Sequence, residues 1–140
     1  MLRLLVCALL GGLVLATMAA PEAAAQKKKV EVTKTWSGSV ADDKLMQPEV
    51  ITNAKLFDAI WKAWKFGGEA PKIDFTKNII VGVYSSGSQL NLAGANLDEK
   101  GNLDVLGFGT RDDRPGFRYV LGMVSRDGVK TVNGKALPKD

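Results

Sequence analysis

Thr52-Asn53-Ala54-Lys55-Leu56-Phe57-Asp58-Ala59-Ile60-Trp61-Lys62-Ala63-Trp64-Lys65-Phe66-Gly67-Gly68 decides how the rest of this chain is read. Leu56, Phe57, Ile60, Trp61 and Trp64 recur at i, i+1, i+4, i+5 and i+8, a spacing that gathers them on one helical face. Lys55, Asp58, Lys62 and Lys65 fall on the other face. Thr52 or Asn53 supplies an N-cap, and Gly67 or Gly68 is suited to a left-handed stop. At this spacing Trp61 and Trp64 read as core residues rather than as a ligand cage. No comparable helical period occurs elsewhere after residue 25, so the remainder must be built from strands and turns.

Downstream, 70–76 reads as a connector. Asn78-Ile79-Ile80-Val81-Gly82-Val83-Tyr84 is β-branched and apolar on both faces, which predicts a central strand covered on one side by the helix. Gln89–Leu97 and Asn102–Phe108 form a hairpin around Asp98-Glu99-Lys100-Gly101. Leu90, Leu92 and Leu97 against Leu103, Val105 and Phe108 supply its shared apolar face. Phe117, Tyr119, Leu121 and Met123 line one face of the next strand. Val129–Val132 follows a turn at Arg126-Asp127-Gly128, and Asn133-Gly134 is a two-residue hairpin signal. Upstream, Val30, Val32 and Trp36 alternate along a half-buried strand ended by Ser37-Gly38-Ser39, and Pro48–Thr52 reads as a short edge strand. The predicted fold is α+β: one amphipathic helix packed on a mostly antiparallel curved sheet, or a small barrel, of about six to eight strands.

The N-terminus has a different composition. Met1-Leu2-Arg3 carries one charge, Leu4 to Met18 carries none, and Ala23-Ala24-Ala25 follows Pro21-Glu22. This is the layout of a secretory signal peptide over residues 1–25, with cleavage before Gln26. An uncleaved anchor is the alternative, since the apolar run is close to the ~17 residues a spanning helix needs. Cleavage would leave a single domain over 30–140 preceded by a flexible basic arm at 26–29, released into the periplasm or the extracellular space. It would also remove Cys7, the chain's one cysteine; there is no histidine. The domain would then rest on packing and hydrogen bonds without disulfides. Lys27-Lys28-Lys29 carries most of the net charge of +4. A basic arm of this kind can touch an anionic membrane surface weakly, at about 1 kcal/mol per Lys. No aromatic residues interleave the lysines, so nucleic-acid stacking is not expected.

The missing residue types exclude much chemistry. Without His or a retained Cys there is no Ser-His-Asp or Cys-His catalysis, and the usual zinc ligand sets cannot form. No phosphate-cradling glycine motif occurs. Asp42-Asp43, Asp98-Glu99 and Asp112-Asp113 lack the spacing of a calcium loop. The expectation is therefore no cofactor, no metal and no catalytic residue, although carboxylates distant in sequence leave a hydrolase as an alternative. Arg111-Asp112-Asp113-Arg114, in a polar loop ending at Pro115-Gly116, is the best candidate for contact with a protein partner. Its bland reading is a solvated loop pairing with itself. Ser85, Ser86 and Ser88 form a second candidate, against the simpler reading of a turn.

Val50 to Leu56, the helix through Trp61, and Pro71-Lys72-Ile73-Asp74-Phe75-Thr76-Lys77-Asn78-Ile79-Ile80-Val81-Gly82-Val83-Tyr84 together resemble the C-terminal domain of the PrcB protease-complex subunit family. The shared pattern is a short strand, a helix ending in Trp, then P-x-[IV]-D-F before an apolar strand, with Tyr119-Val120-Leu121 similar to its last strands. The resemblance spans roughly Val50 to Leu137 and implies an exported, non-catalytic bacterial protein that accompanies a surface protease. The chain departs from the family after the apolar strand, where Ser85-Ser86-Gly87-Ser88-Gln89 replaces a T-G-G-[YF] turn. The reading that follows is an exported binding module, protease-associated or protease-inhibitor-like. Docking to anionic surfaces through the basic arm is the alternative.

Overall fold

The computed structural model of the protein describes residues 27–139. The expected leader, its cleavage site and Cys7 lie outside the described residues. Among those residues one helix accompanies nine strands: β1 (Lys28–Val30), β2 (Lys34–Val40), β3 (Val50–Ile51), α1 (Ala54–Ala63), β4 (Asn78–Ser85), β5 (Leu90–Leu97), β6 (Asn102–Gly109), β7 (Phe117–Ser125), β8 (Thr131–Val132) and β9 (Lys135–Ala136). They form two open sheets, of order β1-β5-β6-β8-β9 and β2-β7-β4-β3. Neither sheet closes on itself, so the barrel alternative is corrected to two sheets lying face to face. All pairings are antiparallel except β6 with β8, which is parallel.

The reason for two layers is visible in β4. Ile79, Ile80 and Val81 are all fully buried. Ile80 faces a core shared with Phe57 and Ile60 of α1, with its C-cap residue Trp64, and with Phe117, Tyr119 and Leu121 of β7. Ile79 and Val81 face a second core, formed with Ala95, Leu103 and Val105 of the other sheet. A strand apolar on both faces needs a cover on each; the helix supplies one and the five-stranded sheet the other. Burying each such Ile or Phe stabilises the fold by about 1.5–3 kcal/mol.

The predicted first strand is divided. Lys28–Val30 pairs with Leu97–Ala95 in one sheet, while Lys34–Val40 pairs with Met123–Phe117 in the other. The chain changes sheets at 31–33. Val30 and Val32 accordingly pack in the inter-sheet core and Trp36 in the helix-side core. This division also carries the strand number past the expected eight. Of the residues expected in an arm at 26–29, Lys28 and Lys29 belong to β1, and Lys27 Nζ meets Asp104 Oδ2 at 2.8 Å; residue 26 lies outside the described residues. Ser37-Gly38-Ser39 does not end the strand. Gly38 leaves room for the Tyr119 ring, whose hydroxyl would lie 2.5 Å from a Cβ at that position.

The helix starts at Asn53, whose side chain accepts Leu56 N–H at 2.8 Å. It stops earlier than Gly67-Gly68. Lys65 takes the left-handed conformation at φ +58°. Its N–H donates to the Lys62 carbonyl and that of Phe66 to the Trp61 carbonyl, both at 3.2 Å. These are the paired bonds of a Schellman cap, with Phe66 stacked on Trp61 at 4.2 Å as the accompanying apolar contact. The cap swings Phe66 back over Trp64 and Tyr119, extending the aromatic cluster.

In the β5/β6 hairpin, Phe108 is corrected from the shared face to the outer one. Alternation puts it with Leu106 on the side away from Leu103 and Val105, and it is 67% exposed. A bulge between Leu92 and Gly94 switches parity on β5, so that Leu92 and Leu97 both reach the inter-sheet core.

Candidate functional site: the rim formed by two crossing loops

Two connections pass between the sheets at the same end of the molecule. The 86–89 loop leads from β4 to β5 and the 110–116 loop from β6 to β7. Leu90 pairs with Gly109, and Ser85 with Arg118. Both loops are therefore launched from neighbouring ladder ends and must lie side by side.

They are joined by hydrogen bonds. The Ser85 hydroxyl donates to the Thr110 carbonyl and accepts Gly87 N–H at 3.0 Å. Thr110 Oγ1 accepts Gln89 N–H at 3.0 Å and lies 3.4 Å from Ser88 Oγ. Thr110 N–H donates to the Gln89 carbonyl at 3.0 Å. Asp112 Oδ2 accepts Ser88 N–H at 3.1 Å. The two sequence candidates thus converge, with Ser85, Ser88 and Asp112 engaged between loops and Ser86 exposed. Thr110 is the hub, and sequence reasoning passes over it; an isolated Thr after a glycine carries no signal until the hairpin register brings it opposite Gln89.

Arg111, Asp113 and Arg114 are exposed. Among the described residues the ion pairs are Lys27–Asp104 and Lys135–Glu49, and none joins members of the 111–114 cluster. The self-paired reading of that loop is therefore corrected: its one intramolecular carboxylate bond reaches across to the other loop. Arg111 borders a cleft of about 580 Å³ with Ser85, Ser86, Tyr84 and Glu49. Arg114 borders a smaller one of about 300 Å³ with Ser86 and Arg118. Polar groups facing an open cleft beside exposed charges can hold a polypeptide surface by hydrogen bonds and ion pairs.

The larger cleft has an electrostatic asymmetry. Glu49 Oε1 lies 3.0 Å from Lys135 Nζ, while its Oε2 is buried with no hydrogen-bond partner. Nearby, the Tyr84 hydroxyl donates to the Pro48 carbonyl. Burial pushes the Tyr84 phenol well above its ordinary value of 10, and the Glu49 charge adds to the shift.

Other candidates sit elsewhere. Lys27, Lys28 and Lys29 lie on β1 and just before it; Lys28 and Lys29 are exposed, whereas the charge of Lys27 is committed to Asp104. Two acidic pairs serve local turns through their first member: Asp42 Oδ1 accepts Lys44 N–H at 3.0 Å, and Asp98 Oδ1 accepts Lys100 and Asn102 N–H at 2.9 Å. Asp58 and Glu69 share a groove beside the helix with Lys62 and Lys72. Among the described residues no three His, Cys, Asp or Glu side chains gather to hold a metal ion, and no helix is long and apolar enough to cross a membrane.

No family model matches this chain, and neither does a curated protein or a solved structure.

Proposed function

We propose that this chain is an exported, non-catalytic binding module, of the kind that accompanies or restrains a protease, and that it meets its protein partner through the rim of the 85–89 and 110–116 loops. One observation carries the reading: two loops about 25 residues apart in sequence are fastened together through Thr110, while Arg111, Asp113 and Arg114 are left without ion-pair partners among the described residues. Tying a loop down lowers the entropy lost on binding, and exposed charges of both signs select a complementary surface. The leader layout and the P-x-[IV]-D-F pattern at 71–75 support export and the protease association.

The test is capture from the envelope of the native cell with two baits, the unaltered protein and a variant carrying Arg111→Ala, Asp113→Ala and Arg114→Ala. A protein recovered by the first and lost or reduced at least tenfold with the second supports the rim. Identical recoveries by both baits would remove it.

A further inference from the structure

The cleft bordered by Glu49 and Arg111 has a strand edge in its wall. Along one side β6 pairs with β5 over its whole length. On the other side β8 meets only Asn102 and Leu103. Asn133 extends that ladder by one step, its N–H donating to the Leu103 carbonyl at 2.9 Å and its Oδ1 accepting Val105 N–H at 2.8 Å. Past this point no strand among the described residues pairs with Leu106–Gly109 on that side. Backbone groups alternate along a strand, so the bonds at Leu103 and Val105 set the parity. Gly107 and Gly109 turn their N–H and C=O toward the open side, and both border the cleft. Nothing blunts this edge: Leu106-Gly107-Phe108-Gly109 has no charge and no proline, the usual protections of an exposed strand. Across the cleft β4 is open too. The last bond on its outer side runs from Gly82 N–H to the Glu49 carbonyl at 2.9 Å.

We infer that this edge accepts an extended segment of a partner protein as an added strand. The inference rests on the rim being a binding site and names what occupies it. Outward amides and carbonyls at every second residue match the backbone of an extended chain. Leu106 and Phe108, 47% and 67% exposed on the outer face, call for apolar cross-strand neighbours on that face of the segment. Arg111 at the rim suits an acidic group. Four open residues correspond to about 13 Å of strand, so the segment is about four or five residues long. The edge borders a cleft of about 580 Å³ whose other wall is β4.

The test uses linear octapeptides displayed on phage and selected against the full-length protein. Selected sequences are synthesised and titrated into isotopically labelled protein. The expected result is enrichment of sequences with apolar residues at alternate positions that shift the Gly107 and Gly109 amide resonances. N-methylation of the synthetic peptide at alternate residues should weaken binding at least tenfold in one parity and less than twofold in the other. The inference is overturned if no peptide is enriched over an unrelated bait, or if both parities of N-methylation act alike. Shifts confined to 86–88 and 111–114 would overturn it while leaving the rim intact as a binding site. A dimer that dissociates on Phe108→Lys would assign the edge to a second copy and equally overturn it.

Discussion

The α-carbon of Gly87 lies so close to the Thr110 carbonyl that a Cβ at position 87 would collide with it. This contact, with the Ser85 hydroxyl on the same carbonyl, holds the two loops in register. Gly87→Ala must push backbone against backbone, which no side-chain rotation relieves. We expect a loss of about 1–3 kcal/mol, the range for forced overpacking, read as a lowered urea midpoint with an unchanged slope. Ser86→Ala, exposed beside it, should change the midpoint by less than about 0.5 kcal/mol. Equal midpoints for the two variants would show that the loops are not fastened there.

Lys65 pays a conformational penalty at φ +58° that glycine would avoid. Its side chain is exposed, so little packing is lost on removing it. Lys65→Gly should therefore stabilise the protein by about 0.5–1 kcal/mol, seen as a higher midpoint in chemical denaturation. Phe66→Ala in the same cap removes the stack on Trp61 and should destabilise by about 2 kcal/mol or more. Near-ultraviolet circular dichroism from the aromatic cluster should fall with it.

The attachment of β1 should depend on pH at both ends of the scale. The hydrogen bond from Lys27, and then its charge, hold the Asp104 carboxyl below its ordinary value of 3.8. The same bond lifts Lys27 above 10.5. A depressed carboxyl contributes fully above 3.8, and that contribution is lost as pH falls through its folded value. A raised amine contributes fully below 10.5, and that contribution is lost as pH rises through its folded value. Lys27 is exposed and Asp104 is partly so, and the effect should be local. Amide exchange at Lys28–Val30, corrected for its intrinsic pH dependence, should be slowest between about pH 4 and pH 10. Asp104→Asn should flatten the acid limb. A flat profile in the unaltered protein would show that the pair does not anchor the strand.

Both tyrosines resist ionisation. Burial raises Tyr84 and Tyr119, and Glu49 adds to the effect at Tyr84. A raised phenol leaves stability untouched below pH 10 and erodes it as pH climbs toward the folded value, because the unfolded chain ionises first. Absorbance titration should show neither phenolate forming near pH 10 while the fold persists, followed by cooperative alkaline unfolding. Tyr84→Phe removes the hydrogen bond to the Pro48 carbonyl and should cost about 1–2 kcal/mol at neutral pH. It should also make the alkaline loss shallower.

Much of the local structure was legible because its causes are local. Asn133 and Gly134 adopt positive φ, as the hairpin turn between β8 and β9 requires. The Asp98–Gly101 turn, the doubly apolar β4 and the mostly antiparallel α+β class all follow from short-range pattern and turn chemistry. The division of Val30–Trp36 between two sheets was not legible, because alternation is the same whether a strand continues or changes partner. The outward face of Phe108 was legible from alternation with Leu103 and Val105 along its own strand; what was not legible was the bulge on β5 that brings Leu92 and Leu97 to one face. For the candidate site, Ser85, Ser88 and Asp112 were visible as polar loop residues, but their meeting was not. That meeting depends on two sheet crossings placed at one end of the fold.

By itself, then, the sequence determined the helix at 54–63, the turns and the absence of histidine from the chain. Those depend on residue type and on neighbours a few positions away. Only the tertiary structure decided that the sheets stay open and face each other, that Thr110 joins the two loops, and that Gly107 and Gly109 present an unpaired edge. Each is a contact between segments distant along the chain, set by which apolar faces must be covered at once.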